Sequence, residues 1–198
     1  MLNIANLPPI VRNGLNGFAI VGSAGLCLLL LPTRFPGMEI LGIGPSWLVM
    51  WTIAWSMRRS LWHAATAGIV LGLIQDAMTL PSMATLGTLP THVLSLTTVG
   101  VLTFWLCKRR YLTDQIIPVT IATFLLTIAS ELVTGCQYLL HTATSISIDA
   151  SFDSMAHLWA NQSPVTLITA VLSSLWMPIL YYPLQIWWRK IFAATKLI

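Results

Sequence analysis

Charged residues are scarce in this sequence. Lys, Arg, Asp and Glu together make up 8% of the 198 residues, whereas an average soluble protein contains about 25%. Hydrophobic residues account for 56% of the chain, and the mean hydropathy is +0.79. This composition leaves no room for a second, soluble domain. It predicts an all-α polytopic membrane protein, with a single transmembrane domain over residues 1–198.

Metal ligands and catalytic motifs are also missing from the sequence. The three cysteines are an odd number and lie in or at the edge of apolar runs, which argues against a disulfide framework or a zinc site. The four histidines have no acidic or cysteine partners at ligand spacing on a shared helix, so we expect no bound metal. We find no nucleophile elbow, phosphate-binding glycine loop, HExxH motif or tight carboxylate pair. We therefore expect no catalytic residue and no cofactor, with a membrane enzyme of sparse active site as an open alternative.

Basic residues outnumber acidic ones. Ten Lys and Arg against six Asp and Glu give a formal net charge of +4 and a pI near 9.3. These cations are distributed along an apolar chain instead of being collected on one polar face, so we expect no nucleic-acid binding. Their positions indicate membrane orientation.

Apolar runs divide the chain into six predicted spans, since a crossing needs about 20 residues. The spans cover about 14–31, 41–57, 60–79, 89–107, 116–140 and 164–187. Six crossings put nine of the ten basic residues on one side and leave only Arg34 on the other. By the positive-inside rule, that side and both termini are cytoplasmic. Asp76 and the loops 80–91 and 141–163 are then outside.

The third span carries a stripe of small residues that ends in a carboxylate. Ala64, Gly68, Gly72 and Asp76 recur every four residues, and Gln75 precedes the carboxylate. Small residues let helix backbones approach closely in a bilayer, so the stripe predicts a packing contact with another helix. Asp76, near the outer end of its span, either hydrogen-bonds neighbouring loop backbone or takes part directly in partner or ligand binding.

The fifth span has a polar face, which we expect to be the neighbour of the stripe. Threonines and one glutamate recur there at three- or four-residue spacing: Thr120, Thr123, Thr127, Glu131 and Thr134. Glu131 lies deep in its span without a Lys or Arg at the same depth. It is either neutral and hydrogen-bonded inside the bundle or couples proton or substrate movement.

The second span is short for a crossing and is interrupted by two glycines and a proline, so it tilts little or begins with a non-helical turn. It contains Trp47, Trp51 and Trp55, four residues apart. Such a stripe is typical of packing or lipid contact with interfacial anchoring, and an aromatic ligand box is the alternative.

The loop 141–163 contains a short amphipathic pattern. Phe152, Met155, Ala156 and Trp159 fall at i, i+3, i+4 and i+7, with Ser151 available as a cap. We expect a short helix that lies on the membrane surface.

One region resembles a known family. The run from Gly72 to Asp76 is followed by Leu86-Gly87 and then by the run from Thr91 to Leu96. This order resembles the central region of the bacterial rod-shape-determining protein MreD, over residues 62–96. The stretch between Asp76 and Leu86 is a few residues longer than in the family pattern.

The resemblance implies a non-enzymatic scaffold subunit of the cell-elongation (rod) complex in the bacterial inner membrane, supporting lateral peptidoglycan synthesis. The implied partners are MreC, MreB directly or through MreC, the RodA polymerase and its penicillin-binding partner, and the lipid bilayer; a homodimer stays open. The implied fold is also similar to the six-helix substrate-binding subunits of energy-coupling-factor transporters. The alternative function is therefore that of a vitamin-type transporter subunit, with an outward cavity lined by Asp76, Glu131, Gln137 and Trp159.

Overall fold

The described part of the chain is folded into six helices. A computed structural model describes residues 8–33, 37–79, 91–145 and 148–195. The helices are α1 (Pro9–Leu30), α2 (Trp47–Ser56), α3 (Leu61–Thr79), α4 (Thr91–Lys108), α5 (Ile116–Ser145) and α6 (Ile148–Thr195). The described ranges contain no β-strand, only an isolated bridge between Ile40 and Ile43. The predicted all-α class is confirmed.

Three of the helical segments are long and apolar enough to cross a membrane, within the part of the chain that the structure describes. They are Ile10–Leu30, Ile116–Gln137 and Ser163–Ile191. Large apolar side chains cover the outside of α1, where Ile10, Phe18 and Val21 are each more than 70% exposed. An apolar surface of this extent would be unfavourable in water and suits a hydrocarbon environment.

Helix α2 forms the centre of the bundle. All ten of its residues are buried, and it contacts each of the other five helices. At 1.5 Å per residue its length is about 15 Å, which is half of a hydrocarbon core. The helix begins only at Trp47 because a tight turn precedes it. In that turn Ile40 and Ile43 exchange backbone hydrogen bonds at 3.0 Å, and Leu41 and Gly42 both have positive φ.

The tryptophans of α2 pack inside the bundle. Trp51 and Trp55 stack with ring centroids 5.5 Å apart, and Trp55 meets Trp188 of α6 edge-on at 5.7 Å. The Trp51 Nε1–H donates to Ser23 Oγ of α1 at 2.9 Å. Aromatic packing and one indole hydrogen bond therefore connect α2 with α1 and α6.

Helices α5 and α6 are longer than the predicted spans. Helical backbone extends to Ser145 and resumes at Ile148, so most of the predicted loop 141–163 is helical. No Gly or Pro occurs between residues 136 and 163 to end a helix. The expected surface helix around Phe152 and Trp159 is continuous with α6. The side chains of these two residues lie outside the described part of the structure.

We predict that Trp51→Phe lowers the free energy of unfolding by about 1–3 kcal/mol, because it removes the hydrogen bond to Ser23 and part of a buried ring system. Thermal unfolding in detergent would measure the change. Trp62→Phe is the matched control, since Trp62 is 78% exposed. Equal decreases in the thermal unfolding midpoint of the two variants would contradict the central role of the α2 tryptophans.

Candidate functional site

The small-residue stripe of α3 brings two helix backbones into contact. A Cβ atom built on Gly68 would lie 2.6 Å from the Cα atom of Thr97, and one on Gly72 would overlap the Cα atom of Val93. Real Cβ atoms essentially never come this close to backbone. Only glycine therefore permits this approach at either position.

Helix α4 contributes a reciprocal contact. A Cβ atom on Gly100 would lie 2.7 Å from the carbonyl oxygen of Ala64, which is fully buried. The α3–α4 pair makes the most extensive helix–helix contact within the described ranges. We call this contact, formed by Ala64, Gly68 and Gly72 against α4, the α3–α4 seam.

The predicted neighbour of the stripe was wrong. We expected the stripe to pack on the threonine face of α5, but it packs on α4, and α5 packs mainly on α6 and α4. Helix α4 gives only a weak sign of this in sequence, because Gly100 is its one glycine and the residues that meet Gly68 and Gly72 are Thr97 and Val93. They fit against α3 because the glycines of α3 leave space for their Cα atoms.

Asp76 caps the beginning of α4 from across the seam. Its Oδ1 accepts the backbone N–H of His92 at 3.0 Å, and its Oδ2 accepts that of Val93 at 3.3 Å. The Thr91 hydroxyl donates to Oδ1 at 3.4 Å. The first N–H groups of a helix have no partner within the helix, and a nearby carboxylate also opposes the positive end of the helix dipole. Residues just before a helix usually provide such a cap, whereas here another helix provides it.

The His92 ring completes this group of contacts. Its Nδ1 lies 2.7 Å from Asp76 Oδ1, and the tautomer with a proton on Nδ1 donates to an ionised carboxylate there. Asp76 is 6% exposed. Its two oxygens therefore meet four donors in a buried position, which leaves it poorly suited to act as an acid or base.

Glu131 is partly buried on α5 and lies within electrostatic range of His92. Thr123, on the same polar face of α5, is fully buried and donates to the backbone oxygen of Val119 at 2.8 Å. The buried hydroxyl of Thr127, one helical turn before Glu131, has no hydrogen-bond partner among the described residues.

Other predicted residues lie at the edge of this region or beyond the described ranges. Gln75 is half-buried, and its backbone oxygen accepts the Thr79 hydroxyl at 2.9 Å. Gly87 and the rest of 80–90 lie outside the residues that the structure describes, as do the side chains of Phe152 and Trp159.

A second polar cluster, around Asp114, was missed. At the other end of the bundle, Arg58 donates to Asp114 Oδ2 at 2.5 Å, and the Tyr181 hydroxyl donates to Oδ1 at 3.5 Å. The Gln185 side chain donates to the Asp114 backbone oxygen at 2.7 Å. These contacts connect the turns after α2 and α4 with α6. A usable signal existed, because Asp114 is the one acidic residue on the side predicted to hold the basic clusters.

The two clusters hold helices and turns together. Within the described residues no group of three or more His, Cys, Asp or Glu side chains could hold a metal ion. The Asp76 and Asp114 carboxylates are each engaged by donors from other elements. Both clusters determine how helices meet.

A family comparison gives one match. The family model described as rod shape-determining protein MreD matches residues 17–191. Comparisons with curated proteins and with solved structures gave no match.

We predict that Gly72→Leu destabilises the protein by about 3 kcal/mol or more, because the added side chain forces α3 and α4 apart. Gly22→Leu is the matched control, since a Cβ atom there meets nothing within 4 Å. The thermal midpoint and the monodisperse fraction in one detergent would measure both. If the two variants behave alike, the α3–α4 seam does not require glycine.

We predict that Asp76→Ala costs about 1–2 kcal/mol, because it leaves the first amides of α4 without their cap. Hydrogen–deuterium exchange should become faster at His92 and Val93 and stay unchanged near Lys108. Gln75→Ala serves as the neighbouring control. Unchanged exchange at the two capped amides in Asp76→Ala would contradict the capping role.

Proposed function

Since the chain belongs to the MreD family of rod shape-determining proteins, we propose that it is a non-enzymatic scaffold subunit of the bacterial cell-elongation complex. In this role it binds MreC, and with it MreB, the RodA polymerase and its penicillin-binding partner. It thereby supports lateral peptidoglycan synthesis without carrying out a reaction. Its contribution to rod shape is to hold partners in the membrane.

The observation that carries the scaffold proposal is that two carboxylates, buried Asp76 and exposed Asp114, are each engaged by donors from other helices or turns. Asp76 holds the start of α4, and Asp114 holds two turns against α6. A scaffold needs helices held in one arrangement, and these contacts hold α4 to α3 and the two turns to α6. Helix α1, by contrast, packs chiefly on α2 and keeps most of its surface exposed, which suits a protein that works by contact.

The proposed topology has six crossings of the inner membrane with both termini cytoplasmic. The ion pair between Arg58 and Asp114 supports it, because it brings the turns after α2 and α4 to one end of the bundle. Both turns carry basic clusters, as the positive-inside rule requires of the cytoplasmic side. The cap formed by Asp76 then belongs to the outer side.

The transporter alternative is not favoured by the site. It needs Asp76 at the wall of an outward cavity, but that carboxylate is buried against the backbone of α4. The similarity to energy-coupling-factor subunits stays a hypothesis drawn from the family resemblance alone.

The scaffold proposal is tested by depletion and capture in the native bacterium. We expect depleted cells to lose rod shape and lateral wall insertion, and the wild-type gene to restore both. Tagged MreC should recover the wild-type protein and the Gly22→Leu control, but much less of Gly72→Leu at equal membrane abundance. Cells that stay rod-shaped with unaltered wall insertion would disprove the proposal. A tightly bound small molecule in the purified protein would favour the transporter.

A further inference from the structure

An apolar groove runs along the first half of α5, beside the end of α4. It has a volume of about 500 Å³, and its lining includes Leu106, Tyr111, Pro118, Leu125 and Ala129. Its residues on α5 extend from Ile117 to Ala129, a rise of about 18 Å at 1.5 Å per residue. This length is close to one leaflet of a hydrocarbon core that is about 30 Å thick. The groove therefore has the length of an acyl chain in one leaflet.

The groove faces the surrounding membrane. On its α5 side, Ile117 is 75% exposed, Ile121 57% and Leu125 58%. These apolar side chains lie on the outer surface of the bundle, so a lipid reaches the groove laterally without crossing the protein.

The turn at the head of the groove is formed by a Schellman motif. Arg110 N–H donates to the Cys107 oxygen, and Tyr111 N–H donates to the Leu106 oxygen, both at 3.0 Å. This motif commonly brings the residue after the turn near the last helical turn, and here both Tyr111 and Leu106 line the groove. The basic run Lys108 to Arg110 is thereby fixed at the groove's head.

Arg110 occupies a position that glycine usually fills. Its φ is +61°, in the left-handed region that is unfavourable for residues with a side chain. Glycine would adopt this backbone conformation more easily, but arginine places a positive charge at the turn. Lys108 and Arg110 are both exposed. The nearby carboxylate of Asp114 pairs with Arg58 instead.

We propose that this groove binds one acyl chain of an anionic phospholipid, whose phosphate is held by Lys108 and Arg110. Arginine and lysine are the side chains that recognise phosphate, and basic residues next to a membrane attract anionic lipids. Tyr111 is exposed beside this basic run, and aromatic rings with a polar end are favoured at headgroup depth. The proposal requires only that the α4–α5 turn lies at a membrane surface, and is independent of the partners proposed above.

The charge at the head of the groove favours a lipid over a transmembrane helix of a partner. A groove of about 500 Å³ accepts a slim acyl chain, and the basic run supplies the complement to a charged headgroup.

The test compares lipid retention by the full-length protein, using native mass spectrometry with phosphatidylglycerol or phosphatidylcholine of identical chains. We expect wild type to retain one phosphatidylglycerol roughly tenfold or more in preference to phosphatidylcholine. Lys108→Gln with Arg110→Gln should abolish that preference. The control is Arg189→Gln with Lys190→Gln, which also removes one arginine and one lysine charge, but from exposed positions on α6. This control should retain the preference for phosphatidylglycerol.

Two further variants address folding and the acyl chain. Arg110→Gly should fold at least as well as wild type, because glycine suits the positive φ, and should weaken phosphatidylglycerol retention. Ala129→Leu should reduce retention of the lipid by filling the groove.

Three results would overturn the proposal. The first is equal retention of both lipids by wild type, and the second is equal loss of preference in the two double variants. The third is a partner helix that crosslinks to position 125 and is found there in place of lipid.

Discussion

The contact between the backbones of α3 and α4 is the constraint on which the polar site depends. Gly68 and Gly72 allow the two helices to touch without intervening side chains. Only at that separation does the short Asp76 side chain reach the first amides of α4. A wider spacing would leave a carboxylate and several amide groups buried without partners, which is costly inside a membrane protein. The glycines and the aspartate therefore act together. The glycines let the two helices touch, and Asp76 then caps the first amides of α4.

Polar contacts of this kind occur at both ends of the bundle. At one end His92 joins Asp76 of α3 and lies within electrostatic range of Glu131 of α5. At the other end Asp114 joins Arg58 and the α6 side chains. Between them the fully buried α2 supplies the apolar core with its stacked tryptophans. The apolar core provides close packing. The polar contacts at the two ends specify which helices meet and how they are positioned along each other's axes.

This division suits a protein of the MreD family, whose role is in shape determination. Asp76 and Asp114 hold helices and turns together, and two exposed surfaces of the protein are apolar: the outer face of α1 and the groove beside α5. Both are accessible from within the bilayer.

The sequence by itself determined the class of protein, the approximate positions of its apolar helices and the small-residue stripe. Low charge, apolar runs and four-residue spacing are local properties, and they are sufficient to predict an all-α membrane protein in which Ala64, Gly68, Gly72 and Asp76 share a face. Only the tertiary structure decided which helix that face contacts, because a glycine leaves room for any backbone and does not specify its partner. It also decided the role of Asp114, whose contacts come from elements 56 and 67 residues away. The spacing of residues along one helix can be read from the sequence. The pairing of two helices depends on the surface shapes of both helices.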